Sequence, residues 1–180
     1  MKKISEMTQG ELGAFIQSHL RKKGIDVVLS GGAAVGIHSS GEYVSQDLDM
    51  VNCHATKRRV LRESMEEIGF REKARYFIHP DTEYLVEFPP GPLTVGDEAV
   101  KQVDEIKLST GILRVISPTD CVKDRLAAYY HWSDRQGLNQ AIMVASRNEI
   151  DIYEIERWSA VEGKQELFIK IKDELLGRKK

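Results

Sequence analysis

The hydrophobic pattern of the chain changes at Ser117-Pro118, where a helix cap is followed by proline at the first helical position. Before this point, short β-branched runs alternate with helical segments. After it, the spacing of apolar residues predicts only helices, at 118–133, 135–147, 150–160 and 163–176. The sequence therefore predicts an α+β fold: residues 1–117 form a small mixed β-sheet backed by helices, and residues 118–180 form a helical C-terminal segment packed on that core.

Cap and turn residues divide the first part into elements. Thr8 and Glu11 form a capping box, which predicts a helix that ends at Gly24. A strand at 25–29 then leads through Gly31-Gly32 into a short helix. The remaining elements are predicted as a strand at 43–51, a helix at 56–69, a hairpin of 70–78 with 83–88, and a second hairpin of 103–108 with 112–116.

The composition excludes several classes of protein. With 41% hydrophobic and 30% charged residues, 14 Gly and 5 Pro, the chain is neither disordered, collagen-like nor of low complexity. Its formal charge of −2 argues against electrostatic attraction of the whole chain to nucleic acid or to an anionic membrane, so any such contact must be local. For the same reason, a helical DNA-binding protein is a weak interpretation.

The cysteines and the hydropathy bear on location. Cys53 and Cys121 form no C-x-x-C pair, which argues against a disulfide scaffold and a thiolate zinc site and favours a reducing compartment, the cytoplasm by default. We expect neither a signal peptide nor a membrane span, since no stretch approaches the roughly 20 apolar residues that a span needs.

Acidic residues on two strands carry the most informative chemistry. Asp47 and Asp49 are two apart on a predicted strand, so their side chains share one face while Leu48 points to the core. Two close carboxylates repel unless a cation lies between them, and Mg²⁺ takes one or two protein carboxylates together with substrate phosphates. If Glu87 lies on the neighbouring strand, it adds a third oxygen ligand for two-metal phosphoryl transfer.

The glycine pair after the first strand predicts an anion site. Gly31 and Gly32 lead into a helix N-terminus, where exposed N–H groups bind phosphate and the missing side chains let it approach the backbone. The pattern G-x-G-x-x-G does not fit this segment, so a dinucleotide fold is a poor alternative.

These motifs resemble the nucleotidyltransferase superfamily of the DNA polymerase β type, in particular its small bacterial minimal branch. The resemblance rests on Leu29-Ser30-Gly31-Gly32, Asp47-Leu48-Asp49-Met50, Glu87 and the helix that starts at Ser117, and it covers roughly residues 25–140. The spacer of fourteen residues between Gly32 and Asp47 is slightly long for the family, the motif serine is glycine, and Glu87 replaces the more usual Asp.

The resemblance implies transfer of a nucleoside monophosphate from a nucleoside triphosphate to an acceptor, with Mg²⁺ or Mn²⁺ as cofactor. It implies a protein or an RNA end as acceptor, and a toxin–antitoxin setting. The implied site consists of metal ligands Asp47, Asp49 and Glu87, with Glu87 also helping to deprotonate the acceptor hydroxyl, and of triphosphate-binding residues Gly31, Gly32, Lys123 and Arg135.

Alternatives remain open on the sequence alone. An Asp-Leu-Asp tripeptide occurs on many solvated strands, and Lys123 and Arg135 fit a solvated helix face equally well, while Arg125 is interpreted as structural. A nucleotidyltransferase-like module that binds a nucleotide or a partner protein without turnover is the competing hypothesis. The sequence leaves open which nucleotide is used and whether the chain forms a homodimer.

Overall fold

The computed structural model describes residues 2–177. The predicted C-terminal segment runs to residue 180, so its last three residues lie outside the described ones. Besides a 3-10 turn at Ile4–Glu6, the helices are α1 (Gln9–Lys22), α2 (Gly31–His38), α3 (Arg58–Glu66), α4 (Pro118–Trp132), α5 (Arg135–Arg147), α6 (Ile152–Val161) and α7 (Gln165–Leu175).

Within residues 2–177, nine strands form two sheets. They are β1 (Val27–Ser30), β2 (Asp47–Asn52), β3 (Arg71–Lys73), β4 (Tyr76–Ile78), β5 (Leu85–Glu87), β6 (Thr94–Val95), β7 (Glu98–Ala99), β8 (Val103–Leu108) and β9 (Gly111–Ile116). The larger sheet has the order β3-β4-β5-β2-β1-β9-β8, and β6 and β7 form a separate hairpin. In the larger sheet, β2–β5 and β1–β9 are parallel pairs and the others are antiparallel, so the predicted α+β class with a mixed sheet is confirmed.

Helix α1 covers one face of the sheet. Thr8 and Glu11 form the predicted capping box at its start. Gly13 on α1 lets the helix approach β9 closely, because a β-carbon there would lie 2.9 Å from Leu113 Cδ1, and it also lies against Leu48 and Met50 of β2. Leu48 and Met50 are fully buried, so β2 turns its alternate residues, Asp47 and Asp49, to the opposite face.

Strands β1 and β9 pair at one position, Leu29 opposite Val115, and α1 packs against β9. The side-chain amide of Gln17 donates to the carbonyl of Arg114 at 2.9 Å and accepts from its N–H at 2.6 Å, which satisfies the backbone of β9 where no strand does.

The prediction of a single strand at 70–78 is wrong. The segment forms two strands, β3 and β4, because Ala74 adopts a left-handed conformation with φ +54° and turns the chain back on itself. The hairpin of β4 with β5 and that of β8 with β9 are confirmed. The strand predicted from residue 43 begins only at Asp47, whose N–H donates to Ser45 Oγ at 3.2 Å.

Of the C-terminal helices, α4 and α5 pack against α2, and α6 and α7 pack against α4 and α5. Ser117 caps α4 by accepting from the N–H of Asp120, as its position before Pro118 indicates. Buried residues of these helices, such as Leu126 and Trp158, belong to the same apolar cluster as Leu29 and Leu48. Within residues 2–177, no helix has both the length and the apolar character needed to span a lipid bilayer.

Candidate active site

The sheet register brings the three predicted carboxylates to one face. Strand β5 runs parallel to β2, with Asp49 opposite Glu87 and Asp47 opposite Leu85. Directly paired residues share a face, and neighbouring strands lie about 4.8 Å apart. Glu87 on β5 therefore lies beside Asp49 on β2, and Asp47 lies two residues before Asp49 on β2.

Gly31 forms the wall of this acidic site. It has φ +63°, and a β-carbon built on it would overlap the Asp49 carboxylate and lie 3.1 Å from Asp49 Cγ. Both the conformation and the space therefore require glycine at this position. At Gly32 a β-carbon would lie 3.0 Å from Ser45 Oγ, so the glycine pair lets the chain between β1 and α2 approach the start of β2 closely.

Burial and like charges perturb Asp49. Burial is the largest cause, and together with the charges of Glu87 and Asp47 it raises the pKa of Asp49 from 3.8 to about 6. The cation of Arg125 acts in the opposite direction. The raised pKa shows that three neighbouring carboxylates place more negative charge here than the site accommodates easily. A bound cation would reduce this repulsion.

Arg75 is a cation at the edge of this site that no sequence motif indicates. Its Nε lies 3.4 Å from Glu87 Oε2, and its guanidinium lies 4.8 Å from the centre of the Tyr76 ring. A hydrogen bond to the Tyr76 hydroxyl, and then the charges of Glu87 and Asp47, raise the pKa of Arg75. No sequence signal indicated this residue, because it lies in the β3–β4 turn that was predicted as strand.

Arg125 on α4 is a second cation near the site, although its sequence context favours a structural role. It is largely buried, its Nε donates to Asp124 Oδ2 at 3.0 Å, and its charge favours the ionised form of Asp49. It follows the fully buried Cys121 by four residues, one helical turn. Because α4 must bury one face, this spacing in the sequence indicates that Arg125 points towards the interior of the protein.

The structure shows ion-pair partners for Lys123, whereas Arg135 is exposed. The Lys123 side chain is only 4% exposed, and its Nζ lies 2.9 Å from Asp120 Oδ1 and 3.0 Å from Glu154 Oε1. This lysine therefore joins α4 to α6, contrary to the expectation that it binds the triphosphate. Arg135 is exposed at the first residue of α5, and its triphosphate role stays a prediction.

Solved structures with a fold similar to that of this chain show which fold it has. A crystal structure of an antigenic nucleotidyltransferase-like protein from Paracoccidioides brasiliensis is similar, with a TM-score of 0.63 and 15% identity over 94% of each chain. A crystal structure of ANT(2″)-Ia in complex with adenylyl-2″-tobramycin is similar with a TM-score of 0.54 and 15% identity, over 86% of this chain and 97% of the other. The chain has a nucleotidyltransferase fold.

A second structure of ANT(2″)-Ia agrees with this result. This solution structure, described as that of an antibiotic-resistance factor, has a TM-score of 0.52 and 13% identity, over 86% of this chain and 91% of the other. No protein-family model matches the chain, and no curated protein matches its sequence. The nucleotidyltransferase relationship therefore rests on the fold, and the resemblance seen in the motifs is confirmed at that level.

The donor groups of this nucleotidyltransferase fold suit a hard cation in part. Asp47 and Asp49 offer carboxylate oxygens on one face, and Mg²⁺ needs only one or two such groups when substrate phosphates supply others. In residues 2–177, however, no three His, Cys, Asp or Glu side chains are gathered so that they could hold a metal ion. Glu87 faces Arg75 instead, so its role as third ligand requires it to leave that ion pair.

Proposed function

We propose that this protein is a Mg²⁺-dependent nucleotidyltransferase of the cytoplasm. It transfers a nucleoside monophosphate from a nucleoside triphosphate to a hydroxyl of an acceptor, a protein or an RNA end. The observation that carries the proposal is the placement of Asp47, Asp49 and Glu87 on one sheet face, against the glycine turn at Gly31. A toxin–antitoxin setting stays a prediction from the motif resemblance.

Each residue of the site has a distinct role in this proposal. Asp47 and Asp49 would hold the divalent ions, and backbone N–H groups of Gly31 and Gly32, at the start of α2, would bind the triphosphate. Bound Mg²⁺ or Mn²⁺ would supply charge neutralisation and orientation of the phosphates. Arg125 favours the ionised form of Asp49, which is the form that binds a cation.

Glu87 takes the proton of the acceptor. As the acceptor oxygen forms its bond to the α-phosphorus, the hydroxyl proton passes to the Glu87 carboxylate. The bond from the α-phosphorus to the bridging oxygen breaks, and pyrophosphate leaves with the electron pair. Glu87 lies beside Asp49 in the register, so a hydroxyl bound next to the phosphates lies within its reach.

Label transfer from α-labelled nucleoside triphosphates tests this proposal. The protein is incubated with Mg²⁺, each triphosphate, and candidate protein and RNA acceptors, and Asp47→Asn and Asp49→Asn are each expected to abolish transfer. Asp81→Asn, in an exposed turn, removes one carboxylate elsewhere and should leave transfer unchanged. Transfer that survives in both site variants would place the chemistry elsewhere in the molecule.

A second candidate is a module that binds a nucleotide or a partner protein without turnover. The ion pair of Arg75 with Glu87 favours it, because a cation of the protein itself then occupies the third carboxylate. Calorimetry with a non-hydrolysable triphosphate and Mn²⁺ separates the two. Binding of the triphosphate combined with no label transfer to any acceptor would support the module.

A further inference from the structure

The sheet face that carries the carboxylates continues beyond them as an open surface. On strands β3, β4 and β5, alternate residues differ sharply in burial. The side chains on the same face as Asp49 are partly or fully exposed: Arg71, Lys73, Tyr76, Ile78 and Leu85. Phe77 and Val86 on the opposite face are fully buried, and Arg58 of α3 lies over the Phe77 ring. Helix α3 therefore covers that opposite face.

The strand register aligns these exposed residues into rows that end at the carboxylates. Lys73 pairs with Tyr76, Tyr76 with Glu87, and Glu87 with Asp49. Arg71 begins a second row through its partner Ile78. Because neighbouring strands lie about 4.8 Å apart, Lys73 is about 14 Å from Asp49 across the sheet. We call this surface, from β3 to β5, the edge face.

The outer end of the edge face is positively charged. Arg71 and Lys73 are exposed on β3, and Arg75 follows in the turn to β4. The acidic residue between them, Glu72, pairs with Phe77 in the register and so belongs to the opposite face, where it accepts from Arg58 Nε at 2.7 Å. Its charge is therefore taken up by α3. Although the whole chain has a formal charge of −2, this end of the sheet presents cations.

Tyr76 adds a flat ring between the cations and the carboxylates. It lies in the middle of the longer row, between Lys73 and Glu87, and the Arg75 guanidinium lies over its ring. Cations that follow a backbone, combined with an aromatic ring or a guanidinium plane for stacking, are the means by which proteins bind single-stranded nucleic acid. An acidic peptide would use the charges but would leave the stacking surface unused.

We propose that the edge face binds a single-stranded nucleic acid whose terminal hydroxyl is the acceptor of nucleotidyl transfer. Its backbone phosphates contact Arg71, Lys73 and Arg75, one base stacks at Tyr76, and its end reaches Asp47 and Asp49. This inference rests on the proposed function and narrows its acceptor to one chemical class. It also gives Arg75 an anion to bind when Glu87 releases it.

The salt dependence of binding tests the charges. The full chain is titrated against a fluorescein-labelled single-stranded RNA of about 12 nucleotides, without triphosphate or metal, and anisotropy gives Kd. Three phosphate contacts predict that affinity falls about 18-fold between about 50 and about 200 mM salt, since each contact contributes about 0.7 to the logarithmic slope. Arg71→Gln/Lys73→Gln leaves one contact and should reduce that fall to about threefold.

Two further variants separate charge from stacking and from position. Lys107→Gln, on the exposed β8 edge of the same sheet, removes one charge far from the edge face and should leave Kd and the slope unchanged. Tyr76→Leu keeps an apolar side chain without a π face, and should weaken binding at least about fivefold at every salt concentration with the slope unchanged.

The possible failures of the two proposals are distinguishable, because this binding assay needs no turnover. RNA binding that is weakened by Arg71→Gln/Lys73→Gln, without transfer to any acceptor, would overturn the proposed function and leave the edge face as a binding surface only. Transfer to a protein, together with no RNA binding or with equal binding by Arg71→Gln/Lys73→Gln, would overturn the edge face alone. Binding of a polyglutamate peptide in preference to the RNA would likewise overturn it.

Discussion

Replacing Asp49 by Asn should make the folded protein more stable at neutral pH, although it removes a residue of the proposed site. Burial, followed by the charges of Glu87 and Asp47, raises the pKa of Asp49 from 3.8 to about 6. A carboxyl group with a raised pKa opposes folding wherever it must be ionised in the folded protein. Asn has nearly the same shape and carries no charge, so it fits against Gly31 without this penalty.

The magnitude follows from the two pKa values. The difference between 3.8 and about 6, at about 1.36 kcal/mol for each pKa unit, corresponds to about 3 kcal/mol. Because Asp49 is only partly buried, solvent screening reduces the expected gain to about 2 kcal/mol. Below pH 3.8 Asp49 is protonated in both states and there is no penalty; the penalty develops as the pH rises from 3.8 to about 6 and is complete above that.

Urea denaturation followed by tryptophan fluorescence measures this effect. In the presence of a chelator, Asp49→Asn should raise the free energy of unfolding by about 2 kcal/mol at about pH 8 and by close to zero at about pH 3.5. The matched control, Asp81→Asn in an exposed turn, should stay within about 0.5 kcal/mol of the wild type at both pH values. An Asp49→Asn protein that is no more stable than the wild type at the higher pH would refute the crowding of charge at this site.

Three further substitutions test the geometry around the site. Gly31→Ala combines left-handed strain of about 1–2 kcal/mol with overlap on the Asp49 carboxylate. Denaturation should therefore show a larger loss in the free energy of unfolding than for the control Gly24→Ala, because Gly24 has φ +72° but no atom within 4 Å of the added β-carbon. Equal losses would contradict the close packing at Gly31. Arg75→Ala frees Glu87 and should tighten Mn²⁺ binding about two- to fivefold in an EPR titration, whereas unchanged affinity would show that the ion pair does not compete with the metal. Lys123→Met should lower the free energy of unfolding by about 3–5 kcal/mol and leave the transfer rate of the folded fraction unchanged. Normal stability together with lost transfer would instead support a role of this lysine in binding the triphosphate.

Features set by neighbouring residues could be predicted from the sequence. The Thr8–Glu11 capping box, the glycine turn after β1 and the Ser117-Pro118 cap each depend on a few consecutive residues, and each marks an element boundary in the structure. The pairing of Asp47 and Asp49 on one face also followed from the two-residue period of a strand. Local chemistry therefore sufficed for most of the fold class and for two of the three carboxylates.

Features set by distant residues could not be predicted with the same certainty. The position of Glu87 beside Asp49 depends on a parallel register across more than thirty residues of chain, which no turn specifies. Ala74 adopts a left-handed conformation that its residue type does not predict, since glycine or asparagine is usual in that conformation. Lys123 and Arg125 are two residues apart on one helix, and only the packing of α4 determines that Lys123 pairs with Glu154 of α6 and that Arg125 acts on Asp49.

The order of the strands has a consequence for how this protein could change during evolution. Asp47 and Asp49 lie on β2, an inner strand held by neighbours on both sides, whereas β3 and β4 form a hairpin at the outer margin of the sheet. Lengthening or replacing that hairpin alters no hydrogen bond between β1 and β2. If the acceptor binds at the edge face as proposed, divergent descendants can therefore exchange one acceptor for another there while inheriting the acidic pair intact.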